Sequence, residues 1–82
     1  MDIKEQIKQF ITVELAGQPG LALGNDDDLL LSGLVDSLGV VRLIGFLEEQ
    51  TGVNIPPGEI TIENFGTVNA MAAYLGTKVV SG

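Results

Sequence analysis

The chain lacks three residue types on which much protein chemistry depends, because its 82 residues include no cysteine, no histidine and no tryptophan. Without Cys and His, it can form no disulfide framework and no zinc or iron–sulfur site of the usual ligand types. The same absences remove the thiol nucleophile and the imidazole base of the common hydrolytic triads. Only carboxylates with raised pKa values, or a desolvated lysine, could act as acid or base near neutral pH.

Positive charge is also scarce. Four Lys and Arg residues stand against eleven Asp and Glu residues, which gives a formal net charge of −7. Because such a chain repels phosphate backbones and anionic lipids, we expect no nucleic-acid partner and no membrane partner. No apolar run approaches the ~20 residues of a membrane span, and the N-terminus has no signal-peptide pattern. Together these features predict a cytoplasmic protein.

The remaining composition is that of an ordinary globular protein, with 45% hydrophobic residues. We predict a single domain over residues 1–82, small enough to bury only about 60% of the surface of its unfolded chain. Apolar residues recur with a helical period along most of the chain. Alternation of period two is confined to the short stretches 53–55 and 60–62, so strands are disfavoured.

Start and stop signals place the longer helices. The first helix spans residues 3–16, with Asp2 as its cap and Gly17 at its end. A long connection follows, and its leucines indicate that it packs against the helices. The second helix begins at the cap residue Asp36 and runs to about Thr51.

The C-terminal part of the chain predicts two further elements. Residues 60–65 suit a short third helix or an extended stretch, and a last helix runs from its cap Thr67 to Gly76. Residues 77–82 are then a frayed tail. The predicted fold is all-α: a small four-helix bundle with a long loop between helices 1 and 2 and a short third helix.

The acidic run at residues 25–28 raises the possibility of a calcium site, which its spacing does not support. An EF-hand loop needs oxygen ligands at its positions 1, 3 and 5, Gly at position 6 and Glu at position 12. In a loop that starts at Asp26, position 5 is Leu30, position 6 is Leu31 and position 12 is Ser37. A solvated acidic loop with no bound metal is the better interpretation.

The segment around Ser37 suggests a catalytic, a phosphate-bearing or a purely capping role for this residue. The surrounding sequence resembles half of a nucleophile elbow, but Val35 replaces the required first Gly and no His is available, so a hydrolase is excluded. Ser37 also falls in the first turn of the second helix, where free N–H groups and the helix dipole favour an attached phosphate. Alternatively, Asp36 and Ser37 only cap the helix.

The whole segment 34–43 resembles the modification site of the acyl and peptidyl carrier protein superfamily. The family's D-S-L motif matches at Asp36, Ser37 and Leu38. Further matching landmarks lie in residues 48–49, 52–56 and 65–68, and the order of the helices agrees. The resemblance therefore covers nearly the whole chain.

This resemblance implies that Ser37 receives a 4′-phosphopantetheine arm from coenzyme A, with Asp36 and Leu38 beside it. A separate Mg²⁺-dependent phosphopantetheinyl transferase makes the attachment. The terminal thiol of the arm then carries acyl or aminoacyl groups as thioesters. An adenylating or other acyl-loading enzyme and downstream acyl-processing enzymes are the implied partners, and the carrier, expected to be a monomer, is not itself an enzyme.

Two positions depart from the fatty-acid carriers, which usually have acidic residues two and five positions after the serine. Here these positions are Gly39 and Arg42, and Arg42 looks more like the peptidyl carriers. Residues 56–65 also look like those of small stand-alone aminoacyl carriers. We therefore expect a carrier for a specialised or secondary-metabolite pathway. A fatty-acid-type acyl carrier and an unmodified helical interaction module remain the alternatives.

The predicted partner surface consists of Gly39, Val41 and Arg42, and the resemblance implies that Leu38 is partly exposed beside it. A glycine inside a helix costs about 1 kcal/mol relative to alanine. Gly39 and Gly45 therefore indicate either close approach of a partner or the arm, or tight packing within the domain. Both readings remain open on the sequence. The residues Ile62 and Phe65 are expected to pack on the second helix.

Overall fold

The computed structural model describes residues 2–78, and these residues form helices and loops without a strand. The first helix, α1, spans Ile3–Gln9 and continues as a π-helix over Phe10–Leu15. The later elements are α2 (Ser37–Thr51), a 3₁₀ turn (Pro57–Glu59), α3 (Ile62–Phe65) and α4 (Val68–Lys78). The predicted all-α fold, with its long first loop and short third helix, is confirmed.

The first helix differs from its prediction in its second half. Asp2 caps α1, since its Oδ1 accepts a hydrogen bond from the Lys4 N–H at 3.3 Å. From Phe10 onward, however, the hydrogen bonds follow the wider π pattern. The hydroxyl of buried Thr12 donates to the Lys8 carbonyl at 2.9 Å within this region. The apolar periodicity of the sequence locates this helix but does not distinguish α-helical from π-helical hydrogen bonding.

Helix α2 begins and ends where its cap residues predict. The Asp36 Oδ1 accepts a hydrogen bond from the Gly39 N–H at 2.7 Å. At the other end, Gly52 has φ 73° and donates its N–H to the Glu48 carbonyl at 2.8 Å. Because Gly carries no Cβ, it adopts this left-handed conformation without strain.

The two C-terminal helices have hydroxyl caps. Thr61 Oγ1 accepts the Asn64 N–H at 3.2 Å, and Thr67 Oγ1 accepts the Ala70 N–H at 3.0 Å. The cap predicted at Thr67 is therefore present. The short third element is a helix rather than an extended stretch.

The predicted end of the last helix at Gly76 is wrong, because α4 continues to Lys78. The Thr77 hydroxyl donates to the Tyr74 carbonyl at 2.7 Å in this final turn. Of the predicted tail at 77–82, its first two residues are thus helical, and residues 79–82 lie outside the described part of the chain.

A cluster around Glu59 joins the 3₁₀ turn to α4. The Glu59 carboxylate accepts a hydrogen bond from the Tyr74 hydroxyl and lies 3.1 Å from the Lys78 ammonium. The Tyr74 hydrogen bond, followed by that of Lys78, lowers the pKa of Glu59. Burial, reinforced by the bond to Glu59, raises the pKa of Tyr74 to about 12. The Glu59 carbonyl also accepts from the Asn64 amide at 2.8 Å, so this one residue contacts α3 and α4 together.

All four helices and the long loop contribute to one apolar core. Its completely buried large side chains are Phe65, Ile7, Ile11, Leu29, Leu47, Met71 and Val68. Leu29 confirms that the loop packs on the helices. Phe65 is buried in this core, and its packing on α2 stays a prediction. Ile62 is 55% exposed, so the packing predicted for it on α2 is wrong. No helix within residues 2–78 is long and apolar enough to cross a membrane.

Candidate functional site

Ser37 is the first residue of α2, and its side chain is exposed to solvent. The first N–H groups of an α-helix have no acceptor within the helix. With the helix dipole, these groups give the start of a 15-residue helix a positive partial charge. The residues present therefore suit an anionic substituent on the Ser37 hydroxyl.

Backbone hydrogen bonds in the long loop fix the chain before Ser37. The Val35 N–H donates to the Leu29 carbonyl at 2.9 Å, and the Leu29 N–H donates to the Gly66 carbonyl at 2.8 Å. Both side chains are buried in the core. The exposed serine thus stands directly beside a well-packed segment.

Two exposed apolar side chains follow Ser37 on α2. Leu38 is 76% exposed and Val41 is 68% exposed, and their spacing places them on one face of the helix. The exposure that the resemblance implied for Leu38 is present. Leu31 in the loop is 74% exposed, so the expectation that the leucines of the loop pack on the helices is wrong at this position. The leucines of the loop give no signal of which ones point outward.

Gly39 is buried, so the structure does not place it on the predicted partner surface. A Cβ at Gly39 would lie 3.2 Å from Asp36 Oδ1, 3.2 Å from Val35 Cγ1 and 3.6 Å from Leu15 Cδ1. Tight packing within the domain accounts for this glycine. Gly45 differs, because a Cβ there would meet no atom within 4 Å.

Arg42 links α2 to the end of the π-helix. Its Nη2 lies 3.9 Å from Glu14 Oε2, and its Nη1 donates to the Glu14 carbonyl at 3.4 Å. Both side chains are about half exposed, so the pair stabilises the fold little. The guanidinium remains accessible. This contact between positions 28 residues apart had no signal in the sequence.

A surface depression of about 280 Å³ lies against the residues on either side of Ser37. Asp36 and Leu38 form part of its wall, together with Leu15, Leu34 and Arg42. A second and broader depression of about 570 Å³ borders the first along the loop. Among residues 2–78, no three His, Cys, Asp or Glu side chains are close enough to hold a metal ion.

Comparisons with known proteins assign this architecture to a family. The profile of the family described as "Phosphopantetheine attachment site" matches residues 5–75. The D-alanyl carrier protein of Streptococcus suis is 33% identical over 82 residues, which cover 100% of this chain and 91% of that protein. The acyl carrier protein of Zymomonas mobilis is 32% identical over 74 residues, covering 90% and 91% of the two chains.

A solved structure has the same fold. One of its chains matches with a TM-score of 0.74 and 37% sequence identity, over 84% of this chain and 97% of that one. The structure is described as the crystal structure of an FAD-dependent dehydrogenase. Because the match covers most of both chains, the matched chain is about as short as this one.

The fold and the matches define a carrier protein, one that holds acyl or aminoacyl groups as thioesters on a covalently attached 4′-phosphopantetheine. The chain belongs to the phosphopantetheine attachment family. This confirms the resemblance, its cofactor and the expected carrier function. Carriers of this family interact with a phosphopantetheinyl transferase and with enzymes that load and process acyl groups.

Proposed function

We propose that Ser37 is the residue that carries the phosphopantetheine arm. The observation that supports this most directly is the exposed Ser37 hydroxyl on the first turn of α2, next to the cap Asp36. The unpaired N–H groups and the dipole of this turn favour the phosphodiester anion that the arm introduces. The capping bond from Asp36 to Gly39 holds the turn in place.

The modification is a phosphoryl transfer. The Ser37 Oγ attacks the phosphorus atom of the coenzyme A pyrophosphate that bears the pantetheine group, and an Oγ–P bond forms. The P–O bond to the second phosphate breaks, and adenosine 3′,5′-bisphosphate leaves. The hydroxyl proton passes to a base of the transferase.

Intact-mass measurement tests this proposal. The protein is incubated with coenzyme A, Mg²⁺ and a promiscuous phosphopantetheinyl transferase. We expect the parent and Ser32→Ala to gain the mass of one phosphopantetheinyl group, and Ser37→Ala to gain none. Ser32 is the matched control because it is an exposed serine in the loop that precedes α2. Gain on Ser37→Ala would contradict the assignment.

We further propose that the cargo is a small amino acid in a specialised pathway. Two observations support this: relatives in Streptococcus suis and Lactococcus lactis are D-alanyl carrier proteins, and Arg42 gives the partner face a positive charge. A D-alanine-adenylating enzyme, ATP and the modified protein should then yield a D-alanyl adduct by intact mass. Loading by fatty-acyl synthetases instead would favour the fatty-acid-type alternative.

A second candidate is a carrier whose loaded group is oxidised by a flavoenzyme. It is favoured by the short chain, 37% identical, in the structure described as an FAD-dependent dehydrogenase. In such a reaction the cargo would lose two hydrogens to FAD. A decrease of two mass units in the loaded protein, seen only with a dehydrogenase present, would identify this function.

We propose that Leu38, Val41 and Arg42 form the surface that partner enzymes contact, and that those enzymes perform all catalysis. Exposed apolar side chains mark an interaction site when they form a contiguous patch, and Leu38 and Val41 lie on one face of α2. Val41→Gln should slow loading while leaving the fold intact. Val13→Gln is the control, since Val13 is an exposed valine of the first helix. Equal loading rates for the two variants would contradict this surface. We also propose a cytoplasmic location, where coenzyme A and ATP are available, and a monomeric carrier.

A further inference from the structure

Two surface depressions lie near Ser37 along the long loop. One has Asp36 and Leu38 in its wall. The broader one is lined by residues of the loop, among them Leu21 and Leu23. Leu34 lines both depressions, so they adjoin. We call the broader one the loop groove. Its volume, about 570 Å³, falls in the size range of small-molecule sites.

The loop groove lies within reach of any group attached to Ser37. Leu34 precedes Ser37 by three residues, so their Cα atoms are at most about 11 Å apart. The phosphopantetheine arm is longer than this distance and flexible. Its far end can therefore enter the loop groove without any rearrangement of the helices.

The walls of the loop groove combine apolar and acidic groups. Leu21, Leu23 and Leu34 are half-buried there, and the exposed residues Asp27 and Asp28 also line it. Each carboxylate is oriented by one backbone bond: Gly24 N–H to Asp27 Oδ2 at 2.8 Å, and Leu31 N–H to Asp28 Oδ1 at 2.9 Å.

The second oxygen of each carboxylate remains available. Within residues 2–78, no hydrogen bond or ion pair involves Asp27 Oδ1 or Asp28 Oδ2. Three of the chain's four cationic side chains instead pair with glutamates elsewhere. An aminoacyl group has an α-ammonium and, for alanine and the larger aliphatic amino acids, an apolar side chain. These two features match the carboxylates and the leucines of the loop groove.

We propose that the loop groove holds the aminoacyl end of the loaded arm, with its ammonium against Asp27 and Asp28 and its side chain against the leucines. The inference rests on the proposed function of Ser37. Weak affinity suffices, because a short flexible tether gives an effective concentration in the millimolar range. A site with a millimolar dissociation constant is then about half occupied, and the bound thioester is shielded from water between partner enzymes.

The test compares two cargoes of nearly equal shape. Alanyl and isobutyryl groups differ by an ammonium in place of a methyl group. Each is attached to Ser37 through a stable amide analogue of the coenzyme A thioester, and attachment is verified by intact mass. Methyl NMR shifts of Leu21, Leu23 and Leu34 are then measured against the unloaded arm. The variants are Asp27→Asn/Asp28→Asn and, as a control that removes the same charge elsewhere, Glu49→Gln/Glu63→Gln.

We expect larger leucine shifts with the alanyl cargo than with isobutyryl, and loss of that difference only in the aspartate variant. The alanyl thioester should also hydrolyse about twofold faster in that variant, as expected for a half-occupied site. Equal shifts for both cargoes, or none at the three leucines, would overturn the inference while leaving the proposed function intact. Failure of Ser37 to gain the arm would overturn both.

Discussion

At the scale of single residues, Asp36 has a structural role next to Ser37. Its Oδ1 accepts the Gly39 N–H at 2.7 Å, which satisfies one of the free donors at the start of α2. The capping interpretation that the sequence left open is therefore correct for Asp36. It does not compete with the proposed role of Ser37, because the cap and the exposed hydroxyl are adjacent but distinct groups.

Removing this cap should destabilise the domain. We expect Asp36→Ala to lower the free energy of unfolding by about 1 kcal/mol, and Asp36→Asn, which keeps an acceptor oxygen, to lower it much less. Urea denaturation monitored by circular dichroism measures both. An alanine variant as stable as the parent would show that the hydrogen bond contributes nothing in solution.

Gly39 and Gly45 provide a matched pair on the same helix. Gly45→Ala should stabilise the domain by about 1 kcal/mol, because the new methyl meets open space and alanine is the better helix former. At Gly39 the methyl is 3.2 Å from both Asp36 and Val35, so overpacking of about 1–3 kcal/mol offsets that gain. The variants are compared by urea denaturation; equal stabilisation by both would contradict the packing explanation.

At the scale of elements, Glu59 connects the 3₁₀ turn, α3 and α4 through its bonds to Asn64, Tyr74 and Lys78. The pKa of Tyr74 is raised to about 12 from its ordinary 10.0. The folded state therefore holds the phenol proton more tightly than the unfolded chain. The stability linked to this group is fully present below pH 10 and is lost as the pH rises through the window up to about 12.

This linkage predicts a specific pH dependence. From pH 10 upward, the parent should lose stability more steeply than Tyr74→Phe, which has no phenol proton to lose. Urea midpoints of the two proteins across this window give the comparison. Parallel pH profiles would mean that neither burial nor the bond to Glu59 raises the pKa of Tyr74 in the folded protein.

Local signals predicted α2 with its two caps, and the cap of α4, well. Asp36, Gly52 and Thr67 all act through bonds to residues close in sequence. Tertiary contacts were not predictable in this way. The burial of Gly39 depends on Leu15, and Tyr74 reaches Glu59 across 15 positions. The helical pattern likewise placed Ile62 inward, although α3 presents it to solvent. Ser37 itself was identified through the resemblance of its whole segment.

At the scale of the whole molecule, the net charge of −7 repels itself across a small surface. Added salt screens this repulsion, so we expect the melting temperature to rise as NaCl is raised from low concentration. Glu49→Gln/Glu63→Gln, which reduces the net charge to −5, should show a weaker rise. A melting temperature that is independent of salt in the parent would contradict this expectation.

The central claim is that the chain receives on Ser37 the thiol that its sequence lacks. Its most direct test is peptide mass spectrometry of the protein after reaction with coenzyme A, Mg²⁺ and a transferase. Cleavage after Asp28, Asp36 and Glu48 separates Ser32, in peptide 29–36, from Ser37, in peptide 37–48. We predict the phosphopantetheinyl mass on peptide 37–48 alone. Its presence on peptide 29–36, or on neither peptide, would contradict the account.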